Sequence, residues 1–227
     1  MSLSLISSPV RIACQGILLD MDGILISSLG SVERSWTKWA LARGVDPAYA
    51  CRTAHGCRAI ETVARLRPDL DPKSELKVIE EIELSDGKGI AVLPGVLAML
   101  AALPADRWTV VTSATEDLAR MRLAAAGIPV PERLITAESV AEGKPNPAPY
   151  LAGAALLGFE AAECVVFEDA PSGTKAGHAA GCTVVATPFS HPPDLLVAAD
   201  YLITDLTGVG VELLADGLAL TLTPLSK

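Results

Sequence analysis

The sequence predicts an α/β fold, a doubly wound and mostly parallel sheet with an inserted helical cap. Three observations predict it. Short apolar runs without alternation recur along the chain, helical patterns closed by glycine lie between them, and one long stretch interrupts that rhythm. An apolar run with no alternation is what a strand buried on both faces of a parallel sheet requires. Strands alternating with helices build βαβ units and a doubly wound sheet.

The first run is Gly16 to Leu19, leading into Asp20. Trp108 to Thr112, Cys164 to Phe167 and Thr183 to Ala186 follow, with weaker runs at Arg133 to Thr136 and Tyr201 to Ile203. Helical patterns span Glu116 to Ala126, Pro149 to Leu157 and Ser172 to Ala180. Gly127, Gly158 and Gly181 stand just past them, where a helix often ends in a left-handed residue. Residues 28–92 carry amphipathic patterns (Val32 to Arg43, Ala59 to Arg67) and a charged stretch from Lys73 to Glu83, with no buried strand. The expected organisation is therefore 1–27 as the first part of the core, 28–92 as a helical cap and 93–227 as the rest of the core. Trp36 and Trp39, three apart, fit one buried face of a cap helix. A mobile lid over a sheet-edge site is the natural use of such an insertion.

Composition narrows the function. The 227 residues are 50% hydrophobic and 20% charged, an ordinary globular balance. With 18 basic against 27 acidic residues, net charge −9, a nucleic-acid surface is not expected. A small phosphate ester still suits an acidic protein, because a few focused cations set the local field. Cys14, Cys51, Cys57, Cys164 and Cys182 are scattered singly, without metal-ligand spacing, and read as reduced thiols. Met1 to Pro9 has no basic residue ahead of its apolar stretch and makes a poor signal peptide. No apolar run approaches the roughly 18 residues that span a bilayer. The expectation is a soluble, cytoplasmic protein, a monomer or weak homodimer, with no membrane partner.

Ligands of open α/β sheets bind beyond the carboxyl ends of the strands. Asp20-Met21-Asp22-Gly23 follows the first run, Thr112-Ser113-Ala114 ends the second and Glu168-Asp169 follows the fourth. Gly143-Lys144-Pro145 comes after the third, on a loop or helix start. Two carboxylates two residues apart can divide the work of attack and proton transfer. Four acids at one rim repel one another and demand a cation; all-oxygen ligation suits Mg²⁺. Lys144 adds fixed positive charge for a phosphate, and Ser113 a hydroxyl with backbone donors nearby.

These motifs resemble the haloacid dehalogenase-type phosphohydrolases, in the subgroup whose helical cap follows the first strand of a Rossmann-like core. The matching residues are Asp20-Met21-Asp22-Gly23, Val111-Thr112-Ser113, Gly143-Lys144-Pro145-Asn146-Pro147 and Val166 to Gly173, continued by Ala176 to Cys182. Four motifs in order are specific where D-x-D-G alone is weak. Within the superfamily, His55-Gly56-Cys57-Arg58, Arg67-Pro68-Asp69, Thr112 to Thr115 and Glu168 to Pro171 are most similar to the glycerol-3-phosphate and 2-deoxyglucose-6-phosphate phosphatases.

The resemblance implies an Mg²⁺-dependent phosphatase for a small polyol or sugar monophosphate, working through an aspartyl-phosphate. Asp20 would be nucleophile and metal ligand. Asp22 would be acid and base, with its backbone carbonyl on the metal. Asp169 would bind metal directly, and Glu168 directly or through water. Ser113, the neighbouring Ala114 and Lys144 would hold the phosphoryl group, and His55 and Arg58 would reach substrate from the cap. Ile24 replaces a common Thr, Ser27-Ser28 replaces a hydrophobic-Asp-Ser ending, and Ser139 stands where an acid often does.

Plainer readings stand beside these. Asp20 and Asp22 could be turn residues. Ser113 is also expected to N-cap the following helix, with Glu116 completing a capping box. Lys144 could be a surface lysine, Glu168-Asp169 a helix cap, His55 structural and Arg58 a surface helix residue. Competing functions are a sugar-phosphate mutase of the same fold, weakened by Val32 at the mutase histidine position, a dehalogenase, which lacks the second aspartate, and a non-catalytic phosphometabolite-binding protein.

Overall fold

The computed structural model describes residues 8–225. Residues 1–7, within the stretch read for signal-peptide character, therefore lie outside the described residues. The described strands are β1 (Val10–Cys14), β2 (Gly16–Leu19), β3 (Ile26–Ser27), β4 (Ala91–Val92), β5 (Trp108–Val110), β6 (Cys164–Glu168), β7 (Thr183–Ala186), β8 (Tyr201–Leu202), β9 (Gly210–Leu213) and β10 (Leu218–Leu222). The helices are α1 (Leu29–Arg43), α2 (Pro47–Ala54), α3 (Ala59–Leu66), α4 (Pro72–Leu84), α5 (Val96–Ala102), α6 (Glu116–Ala125), α7 (Ala148–Leu157) and α8 (Pro171–Ala179).

The centre is a parallel sheet in the order β5-β2-β6-β7-β8. Its strands alternate faces, yet both sets of side chains are apolar. Ile17, Leu19, Val165 and Phe167 join the cluster packed with α5 and α6, while Leu18, Val166 and Val184 face Tyr150 of α7 and Ala176 of α8. That two-sided burial is why the strands read as continuous apolar runs. The weak Arg133 to Thr136 run supplies only a parallel bridge, Val111 to Ile135, beyond β5. Gly158 ends α7 in the left-handed conformation, φ 81°.

A second sheet, antiparallel β1-β10-β9, was not expected from sequence. In it β1 pairs across the whole chain with β10, Val10 opposite Leu222, while β9 and β10 form a local hairpin. Val10 to Ala13 alternate partly buried and exposed positions, and β9 is mostly exposed. A strand covered on one side, with its partner about two hundred residues away, carries little local signal.

Between the paired β3 and β4, helices α1 to α4 form a separate layer. They have their own apolar cluster around Trp36, Trp39, Ala50, Val63 and Ile79. Trp36 and Trp39 meet edge to face at 5.5 Å, so both belong to the cap core as their spacing suggests. The Trp39 indole donates to the buried Glu75 carboxylate at 2.8 Å, and Arg43 pairs with the same carboxylate at 2.9 Å. Among the described residues no helix is long and apolar enough to cross a membrane.

Candidate active site

Because β2, β5 and β6 run parallel, their carboxyl ends share one rim. Asp20 and Asp22 follow β2, Thr112 to Ala114 lie just past β5, and Glu168 ends β6 ahead of Asp169. A cavity of about 110 Å³ opens there. Asp20, Asp22, Ser113, Ala114 and Asp169 line its core side, and His55 and Arg58 line it from the cap.

Single carboxylate oxygens of Asp20, Glu168 and Asp169 lie within 4.8 Å of one another, all three residues buried. Lys144, 3% exposed, donates to Asp20 at 2.6 Å, to Glu168 at 2.7 Å and to the Val111 carbonyl at 3.0 Å. Glu168 is held further by the Tyr150 hydroxyl at 2.8 Å and by the backbone N–H groups of Asp169 and Ala170. Two glycines make room for these acids. A β-carbon on Gly23, at φ 92°, would lie 1.8 Å from an Asp169 carboxylate oxygen, and one on Gly173 1.7 Å from a Glu168 oxygen.

The charges do not balance. One lysine serves Asp20 and Glu168, and no lysine or arginine among the described residues pairs with the Asp169 carboxylate. Burial, with Glu168 and Asp20 close by, pushes Asp169 well above the ordinary carboxylate range. Burial likewise pushes Asp20 up to about 7, although Lys144 opposes it. Three buried oxygen donors with one cation between them suit a divalent metal ion. Since Lys144, Tyr150 and two backbone amides already occupy Glu168, Asp20 and Asp169 are the freer donors.

Other expected residues sit as follows. Ser113 lines the cavity but does not cap α6; the N-cap is Thr115, and the first helical N–H, of Glu116, donates instead to Glu138 at 3.2 Å. The chain turns into helix two residues later than the capping-box pattern suggests. His55 donates from Nδ1 to the Cys51 carbonyl at 2.7 Å while its ring lines the cavity. The Arg58 guanidinium bonds the carbonyls of Ala137, Val140 and Ala141 at 3.0 to 3.2 Å and pairs with Glu61. Its groups are thus engaged in joining the cap to the core. The family departures are accommodated: Ile24 packs in the core, Ser28 donates to Asp22, and the Ser139 hydroxyl accepts from the Thr136 N–H at 2.9 Å.

Sequence reading missed Arg122 and its partner Glu83. Arg122 is 3% exposed and bonds Asp22 at 3.0 Å and Glu83 at 3.2 Å. The signal was available: Arg122 falls on the same helical face as the buried Leu118 and Ala119.

Comparison with known proteins finds relatives along most of the chain. Hexitol phosphatase A of Escherichia coli is 41% identical over 198 residues, covering 81% of this chain and 90% of that protein. Glycerol-1-phosphate phosphohydrolase 2 of Saccharomyces cerevisiae is 32% identical, covering 86% of this chain and 82% of its own. The yeast 2-deoxyglucose-6-phosphate phosphatase 1 is 33% identical, covering 86% and 89%. Residues 14–181 match the haloacid dehalogenase-like hydrolase family, to which this chain belongs.

Proposed function

We propose that the protein is an Mg²⁺-dependent phosphoric monoester hydrolase for a small polyol or sugar monophosphate, acting through an aspartyl-phosphate on Asp20. The observation that carries this reading is the buried trio Asp20, Glu168 and Asp169, with a single lysine among them, on the rim that floors the cavity. Asp20 and Asp169 would hold Mg²⁺, with Glu168 behind them and the Asp22 backbone carbonyl beside them. The ion would supply positive charge against the phosphoryl oxygens.

The residues then divide the work. A carboxylate oxygen of Asp20 attacks phosphorus, and the bond from phosphorus to the leaving alkoxide breaks. Asp22 gives that alkoxide its proton and afterwards takes one from the water that hydrolyses the mixed anhydride. Lys144 holds Asp20 in line and offsets charge on its side of the site. The Ser113 hydroxyl offers a donor to the phosphoryl oxygens, and the Ala114 N–H, which donates to Thr112 Oγ1 at 3.1 Å, would turn from it to do the same.

The chemistry of the wall favours a neutral, hydroxyl-bearing organic group. Residues 28–92, read as the cap, contribute Glu80 and Glu83 to the cavity, while the cap cation Arg58 is occupied. A second phosphate or a carboxylate on the substrate would meet like charge there. Hexitol and glycerol phosphates, named for the relatives, carry none. Val32 lines the cavity as an apolar side chain where a mutase would have histidine, which supports hydrolysis over phosphoryl return. The test is phosphate release from a panel of polyol, sugar, bisphosphate and carboxylate-bearing phosphates, with Mg²⁺ and with chelator. Turnover of neutral monophosphates only with Mg²⁺ supports the reading; binding without turnover contradicts it.

A further inference from the structure

We propose that Arg122 positions Asp22, fixing its carboxylate for both proton transfers, with Glu83 of the cap as the anchor that holds Arg122 in place. The inference rests on the reading of Asp22 as acid and base.

The geometry is specific. Asp22 sits on the loop after β2, and its carboxylate is gripped from both sides. One oxygen accepts from the Ser28 hydroxyl and the other from Arg122 at 3.0 Å. Arg122 comes from α6 and is buried, and its remaining grip is on Glu83 in the last turn of α4, itself 6% exposed. All three side chains line the cavity that holds Asp20. A buried guanidinium cannot leave one carboxylate without stranding its own charge, so it restricts where Asp22 can point.

That restriction matters at two moments. When Asp22 gives its proton to the departing alkoxide, the negative charge left on it falls beside Arg122. The carboxylate must then stay put to take a proton from the attacking water. A p-nitrophenyl leaving group needs no proton, so formation of the aspartyl-phosphate from that ester does not draw on Asp22. Hydrolysis of the anhydride still does.

The test compares p-nitrophenyl phosphate with an alkyl phosphate substrate in wild type, Arg122→Ala, Arg122→Lys, Glu83→Gln and Asp22→Asn. For Arg122→Ala, the first-turnover release of p-nitrophenolate stays within about threefold while kcat on the alkyl phosphate falls at least about tenfold. The KM stays within about threefold and Arg122→Lys recovers part of the loss. Equal loss of burst and turnover, or a raised KM at unchanged kcat, overturns the proposal. Should Arg122→Ala not fold, Glu83→Gln carries the test: a kept burst with turnover lowered about threefold supports it, and wild-type turnover overturns it. Asp22→Asn separates the two readings. If it lacks the pattern, the role of Asp22 is wrong; if it shows the pattern and the Arg122 variants do not, only the role of Arg122 is wrong.

Discussion

Gly173 shows how a residue without a side chain serves a site. A β-carbon there would collide with the Glu168 carboxylate, which in turn accepts from Lys144 and Tyr150. Gly173→Ala is therefore expected to lower stability by about 1–3 kcal/mol and turnover by at least about tenfold. Thermal unfolding and phosphate release check it, and wild-type values in both would show that the carboxylate has room to move. The titrating residues give a second prediction. Burial raises Asp20 to about 7 and Asp169 well above the ordinary value. From the unfolded value near 4 up to about 7, the metal-free folded chain binds more protons than the unfolded one. The contribution of these two groups to stability thus falls as pH rises through that window. Mg²⁺ needs the ionised forms, so the rise in Tm on adding it should grow between about pH 5 and about pH 8. A pH-independent rise would place the ion elsewhere.

At the scale of elements, the cap helices stand on their own apolar cluster, and Trp39 is its largest fully buried member. Trp39→Ala should cost about 3–5 kcal/mol, mostly through the cavity left, with the lost indole hydrogen bond to Glu75 as a smaller part because Arg43 still holds that carboxylate. Calorimetry would register it, and a change below about 1 kcal/mol would mean the cap adds little to cooperative unfolding. The central strands were legible in the sequence because apolar side chains cover both their faces. The strands β1, β9 and β10 were not: β1 is half-buried with its partner at the other end of the chain, β9 is mostly exposed, and the short apolar run of β10 is cut by a threonine. The start of α6 at Glu116 was legible, but its N-cap reads from sequence as Ser113 instead of Thr115, because the first N–H of α6 is satisfied by Glu138, a contact no capping motif encodes.

Across the whole molecule, side chains from distant positions converge on one rim, and the join between cap and core shapes the cavity. Arg58 is central to that join because its guanidinium meets three carbonyls of residues 137–141. Arg58→Ala should raise KM by a common factor for all accepted monophosphates, since the lost contact positions the cap and not a particular substrate group. Steady-state kinetics on several esters would read this, and a loss confined to one ester would put the guanidinium on substrate. Asp20, Asp22, Ser113 and Asp169 were placed together by the sequence because local spacing ties each to a strand end, whereas Lys144 was found through its Gly-Lys-Pro motif. For Arg122 only its place on the buried face of α6 was legible; its pairing with Glu83 was not, because that depends on how the cap lies over α6. Phosphate release by Asp20→Asn in the presence of Mg²⁺ reads out whether Asp20 is the nucleophile. The expected result is a folded protein with turnover reduced at least about a thousandfold. A folded variant that keeps most of its activity would contradict it.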